Sequence, residues 1–593
     1  MQLPDSVADS ALAKLFTSDA MARDVSWFSL PGGQTLCEAG ETADQLFFLR
    51  AGRLGAIRRE EGQEPQFLGV IRPGEPAGEM AMIAGTRHTA TVVALRDSEI
   101  LAMPRAVFLA AAEHDAAVMI ELARLMMLRA RQSATRMPIG EPSVFGFIGL
   151  TGEVKARDLV EALAGEIERL GYSTAVAGEE AQHAPTEWFS NLEQAHDFVL
   201  YAAESSQTGW KHLVARQVDR LFRVGRGDRT PPAQSDHYAY SALDSHRFVD
   251  LVLLQPPERV RPAGSEAWID AVGPARLFHL RDHDQDNLAR LARTLAGLSV
   301  GLVLSGGGAR AYAHIGAVRA LRAAGVPIDF VGGSSMGAII AAAVAMDWDD
   351  AEIERRIRKA FVETSPVDDI AFPLISLSQG EKVRARLKEH FGDQQIADLW
   401  LPFFCVSSNL TTGSYQLHQR GGLRQGLRAS IAIPGLLPPM TDGDNVLVDG
   451  AVMKNFPADI MRSTHLGPII GVDVTRGRSI MAADIARPDT VWRWLVSGDW
   501  RKGPPIVSLL LRAATVSTAR DLAASRDASD VLVLPRMDNV EIRNWDAFDP
   551  AVEAGRLATE QALSKLSRPV IDLRRRARLA DDGPVARISV SPG

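Results

Sequence analysis

The pattern of apolar and polar positions changes character three times along the chain. Between residues 30 and 108, strand-like runs such as 45–50 and 89–95 are cut by Gly40, Gly52, Gly62, Gly74 and Gly85. Turn signals at that spacing predict short strands closed into a β-sandwich or small barrel. Val118, Met119, Leu122, Leu125 and Met126 then share one helical face, and 137–142 (MPIGEP) reads as a linker. From 144 onward strand and helix alternate. Apolar runs stand at 144–150, 198–202, 221–224 and 249–254, and a helix carrying Leu159, Leu163, Ile167 and Leu170 ends at Gly171. Such alternation is the grammar of a parallel α/β sheet. A third α/β unit begins near Val300 and runs at least to Val474. Beyond it lie helical stretches, a strand-like run at 531–534 and, from about Arg568, a tail expected to be loosely ordered.

The expected fold is therefore multidomain. A β-barrel or sandwich spans 1–136, an α/β middle domain 143–297 and a second α/β domain 298–475. The extension 476–593 packs on that last domain and ends in a loose tail. A length of 593 residues suits several domains rather than one.

Charge and cysteine content narrow the function. A net charge of −8 argues against a nucleic-acid partner, because binding phosphates needs a basic surface. The two cysteines, Cys37 and Cys405, suit a reducing compartment and provide neither a disulfide framework nor a Cys-rich zinc module. No metal and no cofactor is expected. The N-terminus, MQLPDSVADSALAKLF, has early acidic residues and no apolar core before a cleavage site, so it does not read as a signal peptide. The longest apolar stretches, such as 338–346, are well short of the roughly 20 residues that span a bilayer. The expected location is cytoplasmic, with any lipid contact peripheral. Arg574, Arg575, Arg576 and Arg578 form a basic cluster suited to anionic headgroups, but such a run more often marks a solvated face.

Three segments of the third unit carry chemistry. In 302–310 (LVLSGGGAR) an apolar strand runs into Gly306, Gly307 and Gly308, followed by Arg310 and a helical pattern. Glycines at a strand–helix junction let backbone N–H groups face an anion. Taken alone this is a weak signal, since Gly306-x-Gly308-x-x-Ala311 with Asp329 some 20 residues on also fits a dinucleotide fingerprint. In 330–338 (FVGGSSMGA) a strand precedes Gly333-Ser334-Ser335-Met336-Gly337 and an alanine-rich helix follows. That context is what a nucleophile elbow needs: small neighbours and a sharp turn that lifts Ser335 above the sheet. In 446–451 (VLVDGA) a short strand ends in Asp449 and Gly450. A buried aspartate at a strand end can take a serine proton and return it to a leaving alcohol. The loop 149–155 (GLTGEVK) occupies the place of a phosphate loop but lacks the Gly-Lys-Ser/Thr ending, which suggests a nucleotide-like fold without nucleotide chemistry.

Together the three segments resemble the patatin-like phospholipase family, in which a GGGxR oxyanion loop, a GxSxG serine and a later DG[GA] aspartate form a Ser–Asp dyad. The resemblance implies Ser335 as nucleophile and Asp449 as proton acceptor. It also implies Gly306, Gly307, Gly308 and Arg310 as the oxyanion loop, with Gly333 and Gly337 shaping the elbow. Ala311 departs from the glycine many relatives carry, and 428–439 (RASIAIPGLLPP) is similar to the family's stretch before its aspartate. The run 78–91 (GEMAMIAGTRHTAT) resembles a cyclic-nucleotide-binding domain, whose glutamate holds the ribose and whose arginine holds the cyclic phosphate. Glu79 matches the first role. His88 falls where the arginine belongs and Arg87 sits one place early, so the site reads as degenerate and cyclic nucleotide is not an expected ligand. The domain order resembles the neuropathy target esterase family and its bacterial members, supported by 198–202 (FVLYA), 209–211 (GWK) and 215–219 (ARQVD). That likeness implies hydrolysis of lysophospholipid or phospholipid acyl esters, with peripheral membrane contact. Two rivals stay open at this point: a non-catalytic lipid-binding sensor or scaffold, and a dinucleotide-dependent oxidoreductase.

Overall fold

A computed structural model describes residues 10–17, 23–58, 66–134, 142–232, 249–363, 376, 378–475, 519–537, 540–542 and 544–575. They form two compact units. One holds the described residues up to 253 together with 271–276, the other 254–270 and those from 277 on.

In the first unit the glycine-punctuated region is a β-sandwich built around two long antiparallel strands, Gln45–Arg58 and Thr91–Pro104. Their register shifts around Gly52, which has φ +97° and whose missing Cβ leaves room for Ser98. An extra residue at such a point bends and twists the strand, which is how a flat ribbon wraps into a sandwich. Leu46, Phe48, Leu101 and Met103 point into a core closed by Val118 and Leu122 of the helix Ala116–Ala134. The α/β layer of the same unit places Arg220–Arg226, Val144–Gly149, Phe198–Ala203 and Thr174–Ala177 side by side in parallel. Val144–Gly149 and Phe198–Ala203 are buried throughout, so their sequences read as unbroken apolar runs. Sandwich and α/β layer meet across two buried ion pairs: Arg53 Nη1 to Asp219 Oδ1 at 2.5 Å and Arg96 Nη2 to Glu193 Oε2 at 2.6 Å. Removing one partner of such a pair strands a buried charge.

In the second unit an eight-stranded mixed sheet runs Met440–Asp442, Asn445–Asp449, Phe403–Asn409, Phe330–Ser334, Gly301–Leu304, Ile469–Val472, Val531–Val533, with Ser414–His418 also paired to Phe403–Asn409. The strands from Phe403–Asn409 to Val531–Val533 are parallel, and Asn445–Asp449 enters antiparallel. The described C-terminal residues are integral to this unit. Val531–Val533 extends the sheet, and helix Phe548–Ser564 packs on helix Ala313–Ala323 through Gly316 and Gly555. A Cβ on Gly316 would overlap the Val552 carbonyl, and one on Gly555 the Ala313 carbonyl, so both contacts require glycine. Within the basic cluster Arg574 pairs with Asp530 and Arg575 with Asp572, whereas Arg576 and Arg578 lie outside the described residues. Among the described residues no helix is long and apolar enough to cross a membrane.

Candidate active site

Ser335 stands between the strand Phe330–Ser334 and the wholly buried helix Met336–Ala345. Its backbone has φ 52° and ψ −131°, a conformation L-residues rarely adopt. Holding a non-glycine residue there costs about 1–3 kcal/mol, which the surrounding packing must offset. The neighbours show how. A Cβ on Gly333 would lie 2.8 Å from the Gly337 carbonyl carbon, and one on Gly337 would strike the carbonyls of Leu304 and Ser305. Strand, turn and helix therefore close up tightly enough to force the turn. The Ser335 N–H donates to Ser430 Oγ at 2.9 Å, and its own Oγ donates to Asp449 Oδ2 at 2.7 Å.

Asp449 ends the strand Asn445–Asp449, opposite Ser407. Its N–H donates to the Ala432 carbonyl, its carbonyl accepts from Ser408 Oγ, and its Oδ1 accepts the Ala451 N–H at 2.8 Å. Gly450 must be small, since a Cβ there would meet Ser334 Oγ and the Val406 carbonyl. Burial disfavours the carboxylate and pushes the Asp449 pKa from 3.8 up to about 6, against the opposing bonds from Ser335 and Ala451. A carboxyl group so poised is ionised at neutral pH yet basic enough to hold a proton transiently.

The glycine loop abuts the nucleophile, for a Cβ on Gly306 would sit 2.9 Å from Ser335 Cβ. Gly306 N–H donates to the Asn455 carbonyl and Ala309 N–H to that of Ile542. The amides between them, of Gly307 and Gly308, have no acceptor among the described residues. Gly308 has φ 55°, and its Cα lies against the Ile542 carbonyl, so a side chain is excluded twice over. Arg310 sends Nε to the Val540 carbonyl at 2.8 Å, which braces the loop against the C-terminal segment.

His314 and His465 do not stand in a relay with Ser335. His314 Nε2 bonds the Ser305 carbonyl at 2.8 Å, and burial pushes its pKa down to about 4, so the ring is neutral. His465 packs on Phe330 at 4.8 Å between ring centres, at the start of the strand that Ser335 follows. Five residues of strand separate the two by roughly 15 Å. Asp329, the acidic residue of the dinucleotide alternative, precedes that same strand and is held by Arg293 at 2.6 and 3.0 Å. It thus sits at the end of the sheet opposite the glycine loop.

Beside the helix that follows Ser335 lies a small, largely apolar cleft, walled by Ile339, Trp348, Val383, Leu387, Phe391 and Ile431. Ile339 is one helical turn past Ser335, and Ile431 follows the Ser430 that holds its amide. Sequence reasoning gave no role to Ser430, Ser408 or Asn455: Ser430 is one residue of the stretch 428–439, Ser408 stands between Ser407 and Asn409, and Asn455 follows Lys454.

In the first unit the candidate nucleotide residues make contacts of their own within the fold. Glu79 is buried, with Oε1 taken by Arg129 Nη1 at 2.6 Å, and Arg129 also holds Glu75 and the Pro76 carbonyl. Arg87 is exposed and donates to the Gly40 carbonyl at 2.6 Å, while His88 is buried against Gly78.

Residues 302–462 match the patatin-like phospholipase model, 27–115 the cyclic nucleotide-binding domain and 168–280 the neuropathy target esterase (NTE) family P-loop like domain. An uncharacterized NTE family protein of Mycobacterium tuberculosis is 32% identical over 92% of this chain and 93% of its own. The chain belongs to the NTE family. Neuropathy target esterase sws of Drosophila melanogaster is 26% identical over 90% of this chain and 42% of its own length. A cyclic nucleotide-binding domain from Methylobacillus flagellatus aligns over 20% of this chain and 68% of its own at 22% identity, with a TM-score of 0.19. Membership of this family supports a lipid esterase role.

Proposed function

We propose that the protein hydrolyses acyl esters of lysophospholipids or phospholipids through a Ser335–Asp449 dyad. The observation that carries this reading is the 2.7 Å bond from Ser335 Oγ to Asp449 Oδ2 at a positive-φ elbow. Ser335 Oγ attacks the ester carbonyl carbon as its proton passes to Asp449. The tetrahedral oxyanion takes hydrogen bonds from the Gly307 and Gly308 amides, donors of a kind worth about 3–4 kcal/mol each. Collapse breaks the ester C–O bond. The leaving alcohol takes the proton from Asp449, and the acyl group stays on Ser335. Water repeats the sequence: its proton goes to Asp449, the fatty acid departs, and Ser335 recovers its hydrogen. The helix starting after Ser335 adds a favourable dipole for the developing negative charge.

The apolar walls beside Ile339 and Ile431 support a substrate with a hydrocarbon chain, since such side chains offer an acyl group a surface to pack on. A cytoplasmic location with peripheral membrane contact fits two buried free thiols and a lipid substrate. The reading is tested by assaying a panel of lysophospholipids, phospholipids and simple esters with the wild type and Ser335→Ala.

Two further outcomes follow from the geometry. His465→Ala is expected to keep kcat/KM within a few-fold of wild type. A loss of roughly 10⁴ in kcat, the scale of a triad member, would replace the dyad with a triad. Micromolar cyclic AMP or GMP is expected to give no binding heat and no change in turnover. Arg129 already occupies Glu79, and His88 lacks the forked donors of arginine. Calorimetric binding that Glu79→Ala removes would overturn this expectation.

A further inference from the structure

Asn455 lies six residues past Asp449, between the turn Gly450–Val452 and Pro457. Its carbonyl accepts the Gly306 N–H at 3.2 Å, and its Nδ2 donates to the Gly306 carbonyl at 3.3 Å. The second bond fixes which way the amide faces, because a flipped amide would set its oxygen against the Gly306 carbonyl oxygen. Oδ1 is therefore held toward the nucleophile. A Cβ on Gly306 would strike Asn455 Oδ1 and lie 2.9 Å from Ser335 Cβ, so only a glycine hydrogen separates the two side chains. Among the described residues this buried oxygen has no hydrogen-bond partner.

The proposed attack of Ser335 on the ester has no use for an acceptor at that place. An oxyanion needs donors, and the Ser335 hydroxyl already donates to Asp449. An unfilled buried acceptor is unfavourable until a donor arrives, and a site built around one rejects ligands that lack the donor. In a monoacyl glycerophospholipid the carbon next to the ester-bearing carbon carries a free hydroxyl. In a diacyl lipid that oxygen is esterified and has no hydrogen to give.

We propose that Asn455 Oδ1 accepts a hydrogen bond from the free hydroxyl beside the scissile ester and so selects monoacyl over diacyl glycerophospholipids. This rests on the ester-hydrolase reading above. Asn455 is then a specificity-determining residue that touches substrate, while Ser335 and Asp449 perform the bond chemistry.

The test compares kcat/KM for a 1-acyl lysophosphatidylcholine and for the same lipid with its hydroxyl replaced by hydrogen. Wild type, Asn455→Ala and Asn455→Leu are measured, with fluorophosphonate labelling of Ser335 to show that each variant has assembled its site. The wild type is expected to favour the hydroxyl-bearing lipid by about tenfold or more, and both variants to favour it by less than about twofold. The ratio cancels any general loss of activity. A wild-type ratio near one overturns the proposal without reference to the variants. An unchanged ratio in labelled variants also overturns it, and equal losses on both lipids would instead make Asn455 an orienter of the hydrolytic water. Turnover that survives Ser335→Ala would sink the hydrolase reading itself, whereas Ser335-dependent turnover with an unaltered ratio would sink only the subsite.

Discussion

Ser335→Ala is expected to lose ester hydrolysis by a factor on the order of 10⁴ or more in kcat, with the fold intact. The substitution removes one oxygen and leaves the packing of the elbow in place, since Gly333, Gly337 and the buried helix Met336–Ala345 are untouched. Alanine is no better suited than serine to φ 52°, so the backbone strain persists and little stability changes. A fluorophosphonate probe should form its adduct on Ser335 in the wild type and on nothing in the variant. Residual hydrolysis near the wild-type rate would remove the central claim. Ser335-dependent turnover would in turn exclude a purely lipid-binding scaffold.

Asp449→Asn should lose roughly 10²–10⁴-fold in kcat, because an amide cannot accept the serine proton. The same change should stabilise the fold. A carboxyl whose pKa rises from 3.8 unfolded to about 6 folded favours the folded state while protonated, and that benefit is lost as pH rises between those values. Above pH 6 the ionised, buried carboxylate costs on the order of 3 kcal/mol. Asparagine has no such charge, so the Tm gain of the variant should be small at pH 4 and reach its plateau above pH 6. Wild-type kcat/KM should fall as pH drops below about 6, where Asp449 takes up a proton before the serine can supply one. An inactive variant whose Tm gain over wild type is no larger at pH 8 than at pH 4 would mean that Asp449 carries no burial cost.

The parts of this architecture with strong local signals were legible in the sequence. Glycine rhythm marked the sandwich, unbroken apolar runs marked Val144–Gly149 and Phe198–Ala203, and the flanks of Ser335 marked the elbow. What stayed hidden depends on contacts distant along the chain. Thr174–Ala177 is short and half exposed, Met440–Asp442 is exposed at an edge, and neither alternates in a way that betrays a strand. Arg310 was read within its glycine loop, yet its Nε bonds a carbonyl 230 residues away. Ser430 and Asn455 carry no motif of their own, and their importance appears only when three loops converge on one turn. The pKa of Asp449 belongs to the same class, because burial is a property of the folded surroundings rather than of the residue.

The brace between Arg310 and Val540 also bears on how the protein is made. The nucleophile and its glycine loop leave the ribosome about two hundred residues before the strand Val531–Val533 and the helix Phe548–Ser564 that back them. At about 5–20 residues per second that interval is roughly 10–40 s. Once made, Ile469–Val472 is a sheet edge awaiting Val531–Val533, and throughout the interval the helix Ala313–Ala323 lacks the partner it meets through Gly316. A nascent chain therefore carries its serine long before the segment that braces the loop beside it has been made.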